Sequence, residues 1–224
     1  MLSSVTVVYD ALPYLLQGAL ITTAIVVGAM LFGLVLGIGV AVVLVYGRGP
    51  LRWLCELYVW FFRGVPVLVL LFLFYFGLFT WLGWNVGAGV AVAAVLGMTT
   101  GAYQANIFKG AILALPRGQF RGASALGMTQ WQAITTIILP QALRIAIPAW
   151  SNEYSIVLKD SALAFVIGAP EVMARTQFVA SRTYQHLPLY FTAAVIYFLL
   201  TWIGVKLLAR LERKVRIPGY AGPL

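Results

Sequence analysis

Five long apolar stretches, set apart by breaks rich in glycine, proline or charge, organise this chain. The hydrocarbon core of a bilayer takes about 20 apolar residues per helix. The stretches run from about Leu15 to Val45, Pro66 to Trp84, Val86 to Phe108, Ala149 to Ile167 and Leu189 to Ala209. The first is long enough that a helix must tilt or project beyond the bilayer. The pattern predicts an all-α membrane protein with five transmembrane helices in a single domain over residues 1–224.

Two breaks carry local signals. Trp53, Tyr58, Trp60, Phe61 and Phe62 precede Arg63-Gly64-Val65-Pro66. Aromatic residues favour the membrane interface, and a Gly-x-Pro sequence interrupts a helix. Two readings stay open: an interfacial helix over Trp53 to Phe62 that turns into the second span at Pro66, or one bent helix carrying both. Gly33-x-x-x-Gly37 and Gly97-x-x-x-Gly101 permit close helix approach, although such pairs are common in any glycine-rich apolar sequence.

The segment 109–148 is neither membrane span nor plain loop. Pro116 can open a helix over Arg117 to Leu126, with Gly127 at its C-terminal cap. Thr129-Gln130-Trp131-Gln132 fits a capping box for a second helix, which runs through Ile134, Ile137 and Ile138 to Leu139-Pro140. Pro148 is expected to mark entry into the fourth span. Ala125, Leu126, Trp131, Ile134 and Ile138 are apolar groups that need something to cover them, either this chain's own helices or a partner.

Charge sets the orientation. Arg48 and Arg52 follow span one; Lys109, Arg117, Arg121 and Arg144 follow span three; Lys206, Arg210, Arg213, Lys214 and Arg216 close or follow span five. Only Arg175 and Arg182 fall on the other side. Basic loops stay in the cytoplasm, so the N-terminus is expected outside, the C-terminus in the cytoplasm, and the 109–148 loop cytoplasmic. Met1 to Asp10 has no basic residue, which predicts an uncleaved first span rather than a signal peptide.

Composition narrows the class. The 224 residues are 62% hydrophobic and 9% charged, against roughly 25% charged in a soluble domain, which is too little charge to cover a water-facing surface. The net charge of +9 belongs to the loops, with no basic stripe of stacking aromatics for nucleic acid. Cys55 is the single cysteine and His186 the single histidine, so neither a disulfide nor a metal site is expected, and no cofactor either.

Ionisable groups at bilayer depth are costly unless paired or wet. Span four carries Glu153, Lys159 and Asp160. Seven residues nearly close two helical turns, so Glu153 and Asp160 share a face, with Asp160 about 18 Å beyond Pro148 and near mid-membrane. Neighbours on a helix do not face each other, so a Lys159–Asp160 bridge is poor geometry. Span three offers Tyr103, with Thr99, Thr100 and Asn106 nearby. A substrate pathway and interhelical pairing both remain open for these groups.

The stretch Gly118-Gln119-Phe120-Arg121-Gly122-Ala123-Ser124-Ala125-Leu126-Gly127-Met128, followed by Ile138-Leu139-Pro140-Gln141-Ala142-Leu143-Arg144 and Pro148, resembles the EAA loop of ABC importer permeases. Phe62-Arg63-Gly64-Val65-Pro66, Gly101-Ala102-Tyr103-Gln104-Ala105, Asn152-Glu153, Leu158-Lys159-Asp160-Ser161 and Leu211-Glu212-Arg213 resemble the polar amino-acid branch of that family. The resemblance covers nearly the whole chain. It departs at Arg121-Gly122, where the family has Glu-Ala, at Asn106 in place of glutamate, and at Leu70 in place of glutamine.

The resemblance implies the transmembrane subunit of an ATP-driven importer in a bacterial inner membrane. Its partners would be cytoplasmic ATP-binding subunits, a second copy or paralogous permease, and an extracytoplasmic solute-binding protein. Arg121, Gly122, Ala123, Ala125, Leu126, Gly127 and Met128 would contact the ATPase. Tyr103, Glu153, Lys159, Asp160 and Ser161 would meet the substrate, a polar amino acid. Glu153 favours a cationic one (arginine, lysine or histidine) over glutamine or an acidic amino acid. The chain has no Gly-x-x-x-x-Gly-Lys-Ser/Thr loop for nucleotide, so ATP hydrolysis is expected in a separate subunit. A channel would leave the organised loop without a purpose. A secondary carrier would more commonly show inverted repeats, into which five spans do not divide equally. A membrane-embedded enzyme would need a His-rich metal site or a nucleophile–base pair, and the sequence offers neither.

Overall fold

The structure, a computed structural model, describes residues 4–215, whose regular secondary structure is all helical. Helix α1 (Ser4–Tyr46) is followed by α2 (Gly49–Gly64), α3 (Val67–Phe72) with a π-helical continuation (Leu73–Phe79), α4 (Ala88–Leu113), α5 (Arg117–Ala125) and α6 (Gln130–Ala133). A π turn (Ile134–Ile138) then leads into α7 (Leu139–Asp160), a 3₁₀ segment (Ser161–Ile167), α8 (Val172–Thr183) and α9 (His186–Val215). Met1 to Ser3 and Arg216, used above in reading the N-terminus and the charge balance, lie outside the described residues.

Among the described residues, four helices are long and apolar enough to cross a membrane, or five when the bent pair α2 and α3 with its π continuation counts as one span. Helix α1 begins eleven residues before Leu15, because Asp10 is its only charged residue and nothing stops the helix earlier. At 1.5 Å per residue its 43 residues run about 65 Å, roughly twice a hydrocarbon core. It stops where Gly47 and the positive φ of Gly49 (66°) precede Pro50.

The break at Pro66 resolves into two helices crossing at 109°. Val65, held extended by the following proline, makes the corner at φ −98° and ψ 131°. The first arm starts at Gly49 rather than Trp53, with Pro50 in its first turn, and leaves Trp53 and Trp60 exposed.

Three expectations need correction. Pro148 does not begin a helix. It lies inside α7, and the helical run from Gln130 to Ile167 continues through both Pro140 and Pro148. Pro140 falls where the π turn hands over to α geometry, a register change that already leaves a backbone group spare. The depth of Asp160, reckoned from Pro148, loses its origin. The fifth apolar stretch begins at His186 and extends to Val215. Between the fourth and fifth stretches stands a helix the pattern did not mark, α8, capped by Glu171, whose carboxylate accepts from the Ala174 amide at 2.7 Å.

The principal helix pair is α1 with α4, and the two glycine pairs are its contact. A Cβ on Gly33 would sit 2.6 Å from Thr100 Cγ2, one on Gly37 2.9 Å from Gln104 Cβ, and one on Gly97 2.5 Å from Phe32 Cδ1. Both motifs thus close an intramolecular interface. Helix α7 packs on α4 and α9, with Tyr154 over Gly204 and its hydroxyl donating to the Leu200 carbonyl. Helices α8 and α9 pack on the N-terminal half of α1 through Leu15, Val172 and Leu189. Glu171, fully buried, binds this corner by accepting from Thr22 and Tyr197.

Candidate functional site

Glu153 is 4% exposed on α7, facing α4. Its Oε1 accepts a 2.7 Å hydrogen bond from Thr100. Thr100 in turn accepts from Gln104 Nε2 at 3.2 Å, and Gln104 Oε1 accepts from Trp150 Nε1 at 2.8 Å. The donors run Trp150 to Gln104 to Thr100 to Glu153, each hydrogen directed toward the carboxylate. Such a chain strengthens its own members in a low-dielectric interior. The sole ion pair among the described residues is the exposed Arg52–Glu56 contact at 2.9 Å on α2, so Glu153 is hydrogen-bonded but has no cation in direct contact, and Arg63 acts on it electrostatically from within the same cavity.

The carboxylate borders a cavity of about 390 Å³ lined by Arg63, Tyr103, Asn106, Asn152, Glu153 and three apolar residues. A second cavity of about 450 Å³ shares Arg63, Tyr103 and Asn106 and extends past Trp60 to Glu56 and Lys109. The Arg63 guanidinium lies 5.1 Å from the centre of the Tyr103 ring.

Of the five substrate candidates, the structure brings Tyr103 and Glu153 together. Helix α7 is uninterrupted from Glu153 to Asp160, so the two carboxylates do share a face. Asp160 is half-buried two turns on and outside the lining of both cavities, as is Lys159, which is exposed. Ser161 is fully buried, its hydroxyl donating to the Leu158 carbonyl at 2.7 Å. Arg63 and Asn152 enter the site without having been singled out. The pattern marks Arg63 only as the residue before a helix break, although a lone cation beside a Pro-terminated aromatic helix is itself a signal.

At the other end, α5 closes in a Schellman cap. Gly127 adopts φ 75°, its amide donates to Ser124 O, and the Met128 amide donates to Ala123 O, both at 3.1 Å. The capping box of Thr129 and Gln132 forms as expected. The apolar groups of the loop divide. Ile134, Ile138 and Ala123 are buried, and the loop is seated on the ends of α1 and α4, where Phe120 stacks on Tyr46. Leu126 and Trp131 are 81% and 65% exposed. Arg121, Gly122, Ala125 and Gly127 lie on the same open side, and Met128 is half-buried.

Residues 29–217 match the family described as binding-protein-dependent transport system inner membrane component. The chain is 33% identical over 205 residues to the arginine transport system permease protein ArtQ of Bacillus subtilis (strain 168), covering 92% of this chain and 94% of that protein. It is 34% identical over 211 residues to the histidine/lysine/arginine/ornithine transport system permease protein HisM of Salmonella typhimurium, covering 90% and 89%. The crystal structure of an amino acid ABC transporter with histidines matches with a TM-score of 0.84 at 31% identity, over 96% of this chain and 99% of that one. Sequence, fold and relatives agree: the chain belongs to the inner-membrane components of binding-protein-dependent transport systems, as a multi-pass permease subunit of the amino-acid branch of ABC importers.

Proposed function

We propose that this permease carries cationic amino acids inward, with the Glu153 cavity as part of the pathway. One observation carries the reading: a buried carboxylate, held by Thr100 and in direct contact with no cation among the described residues, borders a cavity of about 390 Å³. That volume is within the range of small-molecule sites. An arginine or lysine side chain entering the cavity can pair with the carboxylate directly. The names of ArtQ and HisM support the same substrate class. Tyr103 borders the cavity beside Glu153, while Asp160, Lys159 and Ser161 continue along the same chain segment toward the opposite end of α7.

The permease component leaves ATP hydrolysis to a separate subunit. Helices α5 and α6 dock on that cytoplasmic ATPase through the Arg121 to Met128 segment; exposed Leu126 and Trp131 above a buried inner face support this. Five spans, with the N-terminus outside and the C-terminus inside, follow from counting α2 and α3 as one broken span and from the basic residues at the ends of α4 and α9. A second permease chain and an extracytoplasmic solute-binding protein complete the assembly.

Uptake into vesicles carrying the full complex tests the substrate. Glu153→Gln is expected to weaken uptake of a basic amino acid about 10-fold or more, the size of one lost charge-assisted contact, while glutamine uptake changes little. Arg63 on the same wall favours a second reading, an acidic substrate. Glutamate carried better than arginine selects that reading and overturns the cationic one.

A further inference from the structure

Two cavities meet at one side chain. Arg63, with Tyr103 and Asn106, belongs to the wall of both the chamber bordered by Glu153 and the chamber bordered by Glu56 and Lys109. Its guanidinium lies over the Tyr103 ring and forms no direct ion pair among the described residues, although it acts electrostatically on Glu153 in the shared cavity. The stack orients the plane without occupying the N–H groups along its edge, a contact worth less than an ion pair. A free amino acid carries an α-carboxylate whatever its side chain, and a cation in the cavity can hold it. Lys159, the cation nearest in sequence to the acidic pair of α7, is exposed and outside both linings. Arg63 is inside both, and its flat fork fits a carboxylate through two parallel hydrogen bonds where an ammonium offers only a point charge.

We propose that Arg63 is the residue that recognises the substrate's α-carboxylate, while Glu153 holds the cationic side chain in the same cavity. This rests on the Glu153 cavity being the amino-acid site. As part of both walls, the same guanidinium stays within reach of the carboxylate from either chamber.

The test is binding of L-arginine and of agmatine, which has the same guanidinium side chain but no carboxylate, to the permease–ATPase complex in nanodiscs without the binding protein. The wild type is expected to prefer L-arginine about 10-fold or more, the scale of one charge-assisted pair. Arg63→Gln is expected to bind the two alike, by losing affinity for L-arginine alone. Arg63→Lys, which keeps the charge but not the fork, is expected to restore part of the preference. A general loss of packing lowers both ligands together and restores nothing with lysine. A wild-type preference that survives in Arg63→Gln, or a wild type that binds both probes alike, overturns the assignment of Arg63. A wild type that binds neither probe, or is indifferent to Glu153→Gln with both, overturns the cavity reading on which it rests.

Discussion

The Thr100 hydroxyl donates to Glu153 Oε1 at 2.7 Å, joining α4 to α7 at the edge of the cavity. Thr100→Val keeps the shape and removes both the donor to Glu153 and the acceptor for Gln104. The expected cost is about 1–3 kcal/mol, the penalty for a buried polar group losing its partner. Thermal unfolding of the purified complex reads it. Combined with Glu153→Gln, the effect should be less than the sum, because the two side chains share one contact. Full additivity excludes a working Thr100–Glu153 bond.

The α1–α4 interface leaves no room at Gly37. A Cβ there meets the Ala105 amide and the Gly101 carbonyl at 3.1 Å, both backbone atoms that cannot swing aside. Gly37→Ala is expected to cost about 1–3 kcal/mol through overpacking. Gly39→Ala, two residues along with nothing within 4 Å, is expected to be neutral. Equal melting behaviour of the two variants shows that the interface is looser than described.

At the open end of the loop, Leu126 and Trp131 can be truncated with little loss of stability, since most of each side chain is exposed. Leu126→Ala with Trp131→Ala is expected to reduce copurification of the ATPase while the permease melts as before. Gly127→Pro should do more, because it removes the 3.1 Å amide bond to Ser124 and forbids φ 75°. Undiminished copurification and normal ATP hydrolysis in both variants would reject docking at this surface.

Orientation is read by labelling. With Cys55 replaced, a cysteine at Trp81, which is 82% exposed, is expected to react with an impermeant thiol reagent from outside. One at Gln130 is expected to be protected. The reverse pattern inverts the topology.

Features that depend on a few neighbouring residues were legible in the sequence. Thr129 and Gln132 lie three apart and form their box; Gly127 adopts the positive φ its place implies; Val65 before Pro66 makes the corner. Glycine spacing announced a close approach, but not that Gly33 and Gly37 meet Thr100 and Gln104 some 67 residues away. The site was half legible. Glu153 stands out because a carboxylate in an apolar helix demands an explanation, whereas Arg63 reaches the same wall only through the 109° corner, which no local pattern encodes. Helix α8 escaped notice because it is short and half polar, although Pro170-Glu171 is a helix-start signal. Pro148 misled because proline usually ends a helix in water, while neighbours in an apolar bundle tolerate it.

The unbroken run from Gln130 to Ile167 makes a single shaft of 38 residues. Trp131 at one end and Glu153 farther in are about 33 Å apart along it at 1.5 Å per residue. The helix continues through both prolines; the π turn at Ile134–Ile138, close to the Trp131 end, is the one break in the α-helical pattern before Glu153. A tilt of about 10° about the Trp131 end would swing the carboxylate by about 6 Å if the run moves as one rigid rod. That is more than the reach of any hydrogen bond in the Trp150–Gln104–Thr100–Glu153 chain. With Glu153 on the substrate and Trp131 on the partner, as proposed, the grip on the one and the posture of the other would be two readings of one lever's angle.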